Sequence, residues 1–471
     1  MQQLKLLNFY KIISNIATKL VGAFIPLIVM QAMGGGSGSV IYGALSLVLI
    51  YAVRMGFNFV FRKYYEKYPQ IILLLRIFTV LGYSLCIILI DTNLWLGVIG
   101  SVLFYGLDVS FKSLPSEILF NYASSESSEG KSPLGFSRLM EQLGILVALV
   151  VGGVLLDVNK NLVIVISMVI YIISVIPLVI YYIKSKNQKT FNKDSVSNAT
   201  LLYDKKPELS VNAHKISRRI LWCYAITYFV FCIQDVLGNA FNIHLFLNTS
   251  SFGVAGYINA VYNACYGIGC YLFSYIDSKK ETTPLIALSC VCSAMLVLSL
   301  ILFPNFVWYY IVMALAGILY GFICTYVLAR LLPKCRIMGV SNDALFFREN
   351  ASNSSVIFAI MFGMFGSMVP VLICNVVAMI MSSAVIPLNE EKTRKYLIKY
   401  LQNHEKAMSL DNGKNKTTNK EIYSNSEDGI IIVNVEKYRK SETSSKPTKT
   451  TDKSKTKTAQ KRKTTNSKKN S

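Results

Sequence analysis

The stretch KSKNQKTFNKDSVSNATLLYDKKPELSVNAHKISR, residues 184–218, is polar and basic, and it divides the chain into two parts of similar pattern. On each side lie six apolar segments of about 20 residues, the length that a helix needs to cross a bilayer. We therefore predict an all-α integral membrane protein with about twelve transmembrane helices in two pseudo-symmetric six-helix bundles. The predicted spans are 12–33, 38–61, 70–90, 93–116, 134–157, 161–183, 219–246, 252–276, 283–303, 306–332, 345–366 and 369–388.

The composition supports this fold class. Of the 471 residues, 53% are hydrophobic and 16% are charged, whereas a soluble domain averages about 25% charged residues. The formal net charge is +22, and much of it lies in the linker and after residue 389, as is typical of basic cytoplasmic flanks. We expect no nucleic-acid partner. Nearly all ten cysteines lie in apolar segments, which favours buried reduced thiols.

The connections between spans predict the topology. Loops such as RKYYEKYP (62–69), DSKKETT (277–283) and PKCRIMG (333–339) are rich in Lys and Arg, whereas the alternate loops GGGSG, DTN, VNKN, NTSS and PN contain only Lys160. The positive-inside rule then places the basic loops and both termini in the cytoplasm. The absence of a recognisable targeting signal fits a multi-pass plasma-membrane protein.

The predicted domains follow from this topology. They are an N-terminal bundle (1–183), a cytoplasmic linker (184–218), a C-terminal bundle (219–388) and a basic, largely disordered cytoplasmic tail (389–471). The start of the tail could form a short helix on the membrane surface, with Tyr396, Leu397, Tyr400 and Leu401 on one side. The Lys/Thr-rich end could bind anionic lipids. GIIIVNV (429–435) is typical of an isolated strand.

Six plus six spans with a basic central linker resemble the major facilitator superfamily over residues 10–388. The family's Gly-x-x-x-Asp-Arg/Lys signature corresponds to GFNFVFRKYYEKYP (56–69), which lacks the aspartate, and to CYLFSYIDSKK (270–280), which keeps Asp277 but lacks the glycine. Gly144, Gly152 and Gly153 have the spacing of an antiporter signature, with Ala148 and Leu149 in place of Gly-Pro. The resemblance implies a secondary transporter with a central site between two rocking bundles.

Charged residues inside the predicted spans are costly and are therefore candidates for function. Most lie in the cytoplasmic third of their spans, where Lys and Arg side chains can reach the interface. Their mixed signs indicate ion pairs that join helices when the inner side is closed. Direct contact with substrate or protons is the alternative. The predicted gate network comprises Lys19, Arg54, Asp108, Arg138, Glu141, Asp277, Arg348 and Glu349.

Asp235 is the acidic residue predicted to lie near the middle of the membrane. Cys232 and Asn242 lie on the same predicted helix face, and this polar face should line a central cavity. Asp235 could carry a proton or pair with a cationic substrate, or it could be a structural residue bonded to a neighbouring asparagine. The predicted substrate and ion site comprises Asp235, Asn239, Tyr228, Asn259, Asn263, Tyr266, Tyr320 and Asn353.

The sequence contains no recognisable nucleotide loop, metal cluster or nucleophile triad, so we expect neither an enzyme nor a bound cofactor. The predicted function is secondary active transport of a small solute by a monomer, coupled to a proton or another cation. Export of a neutral or cationic amphipathic compound is favoured over a nutrient uptake permease. The alternative from another class is a non-transporting scaffold or receptor that acts through its basic tail.

Overall fold

The computed structural model describes residues 2–125, 132–191, 211–276, 282–303, 305–338 and 340–412. Every regular element in these ranges is a helix. The N-terminal half contains α1 (Gln2–Gly22), α2 (Ile25–Ala32), α3 (Val40–Lys67), α4 (Pro69–Leu89), α5 (Leu94–Ser125), α6 (Ser132–Val158) and α7 (Lys160–Phe191). The C-terminal half contains α8 (Val211–Phe231), α9 (Val236–Thr249), α10 (Phe252–Ser274), α11 (Thr283–Leu302), α12 (Phe306–Ile337), α13 (Ser341–Met361) and α14 (Val369–Asn412).

These helices make twelve crossings, six in each half, as predicted. Helices α1 and α2 form one broken crossing, and α8 and α9 form another, joined by a 3-10 turn at Cys232–Asp235. Within the described ranges, ten segments are long and apolar enough to cross a membrane. The two crossings below that threshold are α10 and α13. Both carry polar side chains in mid-helix, such as Asn263 and Asn353, and these lower the mean hydropathy. Such side chains are tolerated inside a membrane where they face other helices rather than lipid.

Helices of each half pack on one another, and the two halves meet mainly along two helix pairs. In the N-terminal half α1 packs on α6 and α7, and α5 packs on α3 and α4. In the C-terminal half α14 packs on α8 and α11, and α12 packs on α10 and α11. Helix α6 of the first half contacts α10 of the second, and α3 contacts α13.

Glycines permit the close approach of α6 and α10. A Cβ atom on Gly256 would lie 2.5 Å from the carbonyl oxygen of Leu149, and one on Gly153 would lie 2.6 Å from the carbonyl oxygen of Phe252. Any larger residue would push the helices apart. Because lipid tails give no hydrophobic driving force between helices, such close backbone packing is what stabilises this contact.

The bundle has two faces, which we name by the linker. The linker face is where α7 ends and α8 begins. The opposite face contains the turn at Ser37–Ser39. Helix α7 continues to Phe191 and α8 begins at Val211, so both helices extend into the segment predicted as the linker, 184–218.

The last crossing also continues further than predicted. The boundary predicted at residue 389 lies inside α14, which runs without interruption from Val369 to Asn412. Leu397 and Tyr400 are buried against the core of the C-terminal half, so the expectation of a separate helix on the membrane surface is wrong. The burial of these two side chains makes this segment part of the bundle. The strand predicted at 429–435 lies outside the described residues.

Candidate functional site

The sequence predicted one continuous helix over 219–246, and the structure has a single crossing there that changes from α-helix to a 3-10 turn at Cys232–Asp235, which we call the helix break. Helix α8 ends at Phe231, and α9 begins at Val236. Side chains of neighbouring helices stabilise the break. Asn375 of α14 donates a hydrogen bond to the backbone carbonyl of Ile233 at 3.3 Å, and the Gln234 amide donates to Ser293 Oγ of α11 at 2.8 Å.

Asp235 lies at the end of this 3-10 turn and is partly exposed, although Gln234 and Val236 on either side are buried. Ser352 Oγ of α13 donates a hydrogen bond to Asp235 Oδ2 at 3.4 Å. Arg54, from the N-terminal half, is within electrostatic range of the carboxylate. The Asn239 amide donates to the backbone carbonyl of Asp235 at 3.5 Å. The Asp235 carboxylate thus lies beside α13 of its own half and near α3 of the N-terminal half.

Four other predicted site residues lie on α10 and α12. The Asn263 amide donates hydrogen bonds to the backbone and side-chain oxygens of Asn259 at 2.7 and 2.8 Å, and both asparagines are partly exposed. The rings of Tyr266 and Tyr320 lie 5.5 Å apart between centroids. The Tyr320 hydroxyl donates to Cys232 Sγ at 3.8 Å, which connects these helices to the break. Helices α10 and α12 thus place two tyrosine rings and two asparagine amides on the side of α8 and the break.

Tyr228 and Asn353 lie deeper than the sequence predicted. Tyr228 is 3% exposed and Asn353 is fully buried. Among the described residues, no hydrogen-bond partner is found for the Tyr228 hydroxyl or for either polar atom of the Asn353 amide. Arg348 lies over the Tyr228 ring, 6.0 Å from its centroid. Tyr228 and Asn353 are thus buried, whereas Asp235, Asn259 and Asn263 are partly exposed.

A network of ion pairs occupies the linker-face third of the bundle. Glu117 of α5 is its centre, since this carboxylate lies 2.9 Å from Arg138, 3.7 Å from Lys11 and 3.7 Å from Arg348. Glu141 of α6 lies 3.1 Å from Lys11 and 3.5 Å from Arg138. The network thus joins α1, α5 and α6 of the N-terminal half to α13 of the other half.

Two connections of this network cross between the halves. One is Arg348 to Glu117, and the other is Arg54 of α3 to Glu349 of α13. Arg348 also lies 3.9 Å from Glu349, so both connections belong to one network. Nearer the linker face, Arg62 forms a further ion pair with Asp343 between the same two helices. The linker face is therefore held closed by opposite charges.

The structure divides the predicted gate residues into groups. Arg54, Arg138, Glu141, Arg348 and Glu349 lie in the network. Asp108 does not, because Arg76 holds it in a bidentate pair of 3.0 and 3.1 Å inside the N-terminal half.

The remaining predicted gate residues are Lys19 and Asp277. Lys19 forms no ion pair with a described residue, and Asp277 lies outside the described ranges. The structure adds Lys11 and Glu117 to the network, and the prediction did not include them. Lys11 precedes the predicted start of its span, which hid its position inside the bundle.

The opposite face is closed by a residue that sequence reasoning missed. Asp157, near the end of α6, accepts hydrogen bonds from the backbone N–H groups of Phe252 and Gly253 at 2.8 and 2.9 Å. It also accepts one from Ser251 Oγ at 2.7 Å. A carboxylate at a helix N-terminus satisfies free N–H groups and complements the helix dipole. Asp157 thereby caps α10 and joins the two halves.

The family model of the Major Facilitator Superfamily matches residues 121–342. No curated protein matches the chain. Three solved transporters share the fold, and each is far below the identity at which function can be transferred.

A bacterial homologue of the iron transporter ferroportin, solved in an outward-facing state with soaked iron, has a TM-score of 0.55 and 12% identity, covering 83% of this chain and 98% of that one. A D-xylose-proton symporter has a TM-score of 0.54 and 12% identity, covering 81% of this chain and 96% of that one. The fucose:proton symporter of E. coli has a TM-score of 0.53 and 13% identity, covering 82% and 98%. The chain thus matches the Major Facilitator Superfamily model over residues 121–342 and shares its overall fold with these solved transporters.

Proposed function

We propose that this protein is a secondary active transporter that moves a small solute across the plasma membrane by alternating access. The observation that supports this most strongly is the position of Asp235. This carboxylate is partly exposed at a helix break, between two halves that contact each other near both faces of the bundle. A charged group in such a space can bind a solute or an ion while neither face is open.

The contacts between the halves suggest how access alternates. Loss of the Asp157 cap on α10 would let the halves separate at the opposite face while the ion pairs keep the linker face closed. Loss of the Arg348–Glu117 and Arg54–Glu349 pairs would open the linker face while the cap holds. By the positive-inside rule the linker face is cytoplasmic, with both termini inside.

Proton coupling is the favoured energy source. Asp235 is the carboxylate nearest the helix break, and Ser352 donates to it. Two of the proteins that share the fold are named as proton symporters of D-xylose and fucose, which supports this choice over another cation. Tyr266 and Tyr320 suit a partly apolar solute. On the sequence pattern, export of a neutral or cationic amphipathic compound is favoured over uptake.

Solute flux in vesicles measured against pH tests the proposal. Asp235→Asn should abolish accumulation driven by a pH gradient but leave exchange of solute across the membrane. Ser352→Ala, which removes a hydrogen-bond donor but no charge, should only shift the pH at which flux is half-maximal. An unchanged rate and pH profile for Asp235→Asn would remove Asp235 from the mechanism.

The scaffold alternative is tested by deletion of the tail. The deletion should begin at residue 413, because α14 is helical to Asn412 and Leu397 and Tyr400 are buried. We expect flux to persist without residues 413–471, and association with anionic vesicles to weaken. Flux that is absent from the intact protein for every solute tested, with a cellular effect that depends on the tail, would favour the scaffold. Size measurement of the purified protein should give a monomer.

A further inference from the structure

Two lysines inside the N-terminal half form no ion pair with a described residue. Lys19 of α1 and Lys112 of α5 are each partly buried. Each lies within electrostatic range of Glu141, but Glu141 already binds Lys11, Arg138 and the Asn15 amide. Because an ammonium without an ion pair is costly inside the membrane, two of them together indicate a functional role.

The register of α1 against α5 places the two lysines at a similar depth. The helices run in opposite directions, and the Lys11–Glu117 pair of 3.7 Å fixes their alignment. From that pair, Lys19 lies eight residues further into the bundle along α1, and Lys112 lies five residues further in along α5. At 1.5 Å per residue, these steps are about 12 and about 7.5 Å. The depths of the two lysines therefore differ by about 4.5 Å, which is less than one helical turn. Each lysine is within electrostatic range of the aspartate on its side of the site, Asp235 for Lys19 and Asp108 for Lys112.

The balance of charge around the site leaves room for an anion. Seven described cations surround the network and the Asp235 region, against five acids. The ion pairs join five of these cations to four of the acids, which leaves two lysines and Asp235 without an ion pair. The cations are Lys11, Lys19, Arg54, Arg76, Lys112, Arg138 and Arg348, and the acids are Asp108, Glu117, Glu141, Asp235 and Glu349.

We propose that Lys19 and Lys112 bind an anionic group of the transported solute, a carboxylate or a phosphate. The rest of the solute then lies against Asp235, Tyr266 and Tyr320 of the C-terminal half. This inference rests on the proposed transport function and replaces a neutral or purely cationic solute with one that carries an anionic group. The ammonium groups supply strong charge-assisted hydrogen bonds to the oxygens of such a group.

Binding of matched compounds to the purified full-length protein tests the proposal. Each compound in the library is presented as a carboxylate and as its carboxamide, and phosphate esters are presented beside their alcohols. Binding is followed by thermal shift and calorimetry. We expect the anionic member of a binding pair to bind at least about tenfold more tightly, which corresponds to about 1.4 kcal/mol. In Lys19→Gln/Lys112→Gln this preference should disappear. Equal binding of both members, or a preference that survives in the double variant, would overturn the assignment.

A second measurement needs no ligand. Without any compound, Lys19→Gln/Lys112→Gln should melt at the same temperature as the parent or higher, because the variant removes two charges that form no ion pair. A lower melting temperature would show that the lysines stabilise the fold, and would overturn the proposal. Lys5→Gln, an exposed lysine of the same helix as Lys19, is the matched control and should change neither binding nor melting. A protein that binds the anionic compounds but moves none of them would contradict transport and leave the subsite intact.

Discussion

The Asp157 carboxylate of α6 accepts a hydrogen bond from the backbone N–H of Gly253 at the start of α10, with 2.9 Å between the two atoms. This contact joins the N-terminal half to the C-terminal half at the face opposite the linker. Phe252 and Ser251 donate to the same carboxylate. One acidic side chain thus provides three of the polar contacts that close this face.

Asp157→Ala should open the opposite face, because it removes the acceptor for all three donors. We expect a cysteine at position 239 to react several-fold faster with a membrane-impermeant thiol reagent applied from that face. Asp91→Ala is the control. Asp91 pairs with Lys160 of the same half at 2.7 Å, so its loss should leave the reaction rate unchanged. Equal effects of the two substitutions would contradict a role for Asp157 in closure.

Glu117 and Arg348 should be energetically coupled across the two halves. A double-mutant cycle with Glu117→Gln and Arg348→Gln should give a coupling free energy of about 1–3 kcal/mol, as expected for residues of one network. The exposed pair of Asp91 and Lys160 should give no more than about 1 kcal/mol. Reversible unfolding in mixed detergent micelles measures both cycles. A coupling near zero for the first pair would mean that the linker face is not held by this contact.

The Arg76–Asp108 pair should stabilise the N-terminal half itself. Arg76 is fully buried and also donates to the Tyr10 hydroxyl at 3.0 Å. Asp108→Asn leaves this guanidinium without its counter-charge, which costs about 3–5 kcal/mol for a buried pair. We expect a much lower melting temperature and poor folding yield. If Asp108→Asn instead folds normally and alters only transport, Asp108 has the gate role that the sequence suggested.

Gly256→Ala should weaken the contact between α6 and α10. The added methyl group would lie 2.5 Å from the Leu149 carbonyl oxygen, and overpacking of this kind costs about 1–3 kcal/mol. The matched control is Gly56→Ala in α3, where a Cβ atom would have nothing within 4 Å. Since alanine favours a helix over glycine, that variant should be neutral or slightly more stable. Thermal unfolding compares the two, and equal melting temperatures would contradict the close approach.

The sequence predicted the number of crossings well, because length and hydropathy decide which segments enter a bilayer. The polar faces of α10 and α13 were visible in it too, through Asn259, Asn263 and Asn353. The break before Asp235 was not visible. It depends on Asn375 and Ser293, which lie 142 and 59 residues from their partners Ile233 and Gln234. Local patterns do not contain such contacts.

Partners of charged residues were harder to predict than their positions. Asp108 and Glu141 occupy similar predicted depths, yet Asp108 is neutralised within its own half by Arg76, whereas Glu141 belongs to the network. Which pairs form depends on helix rotation, which sequence periodicity does not specify between helices. Asp157 was missed because an aspartate at the end of a span is ordinary. Only the position of α10 gives it a role.

Distances measured across both faces by pulsed electron paramagnetic resonance test most directly whether the two faces open in turn. Spin labels at the exposed positions Val158 and Phe303 report on the opposite face, and labels at Tyr64 and Tyr275 report on the linker face. In Asp157→Ala we expect the first distance to lengthen while the second stays short, and in Arg348→Gln the reverse. Distances that lengthen together at both faces, or that change at neither, would contradict alternating access.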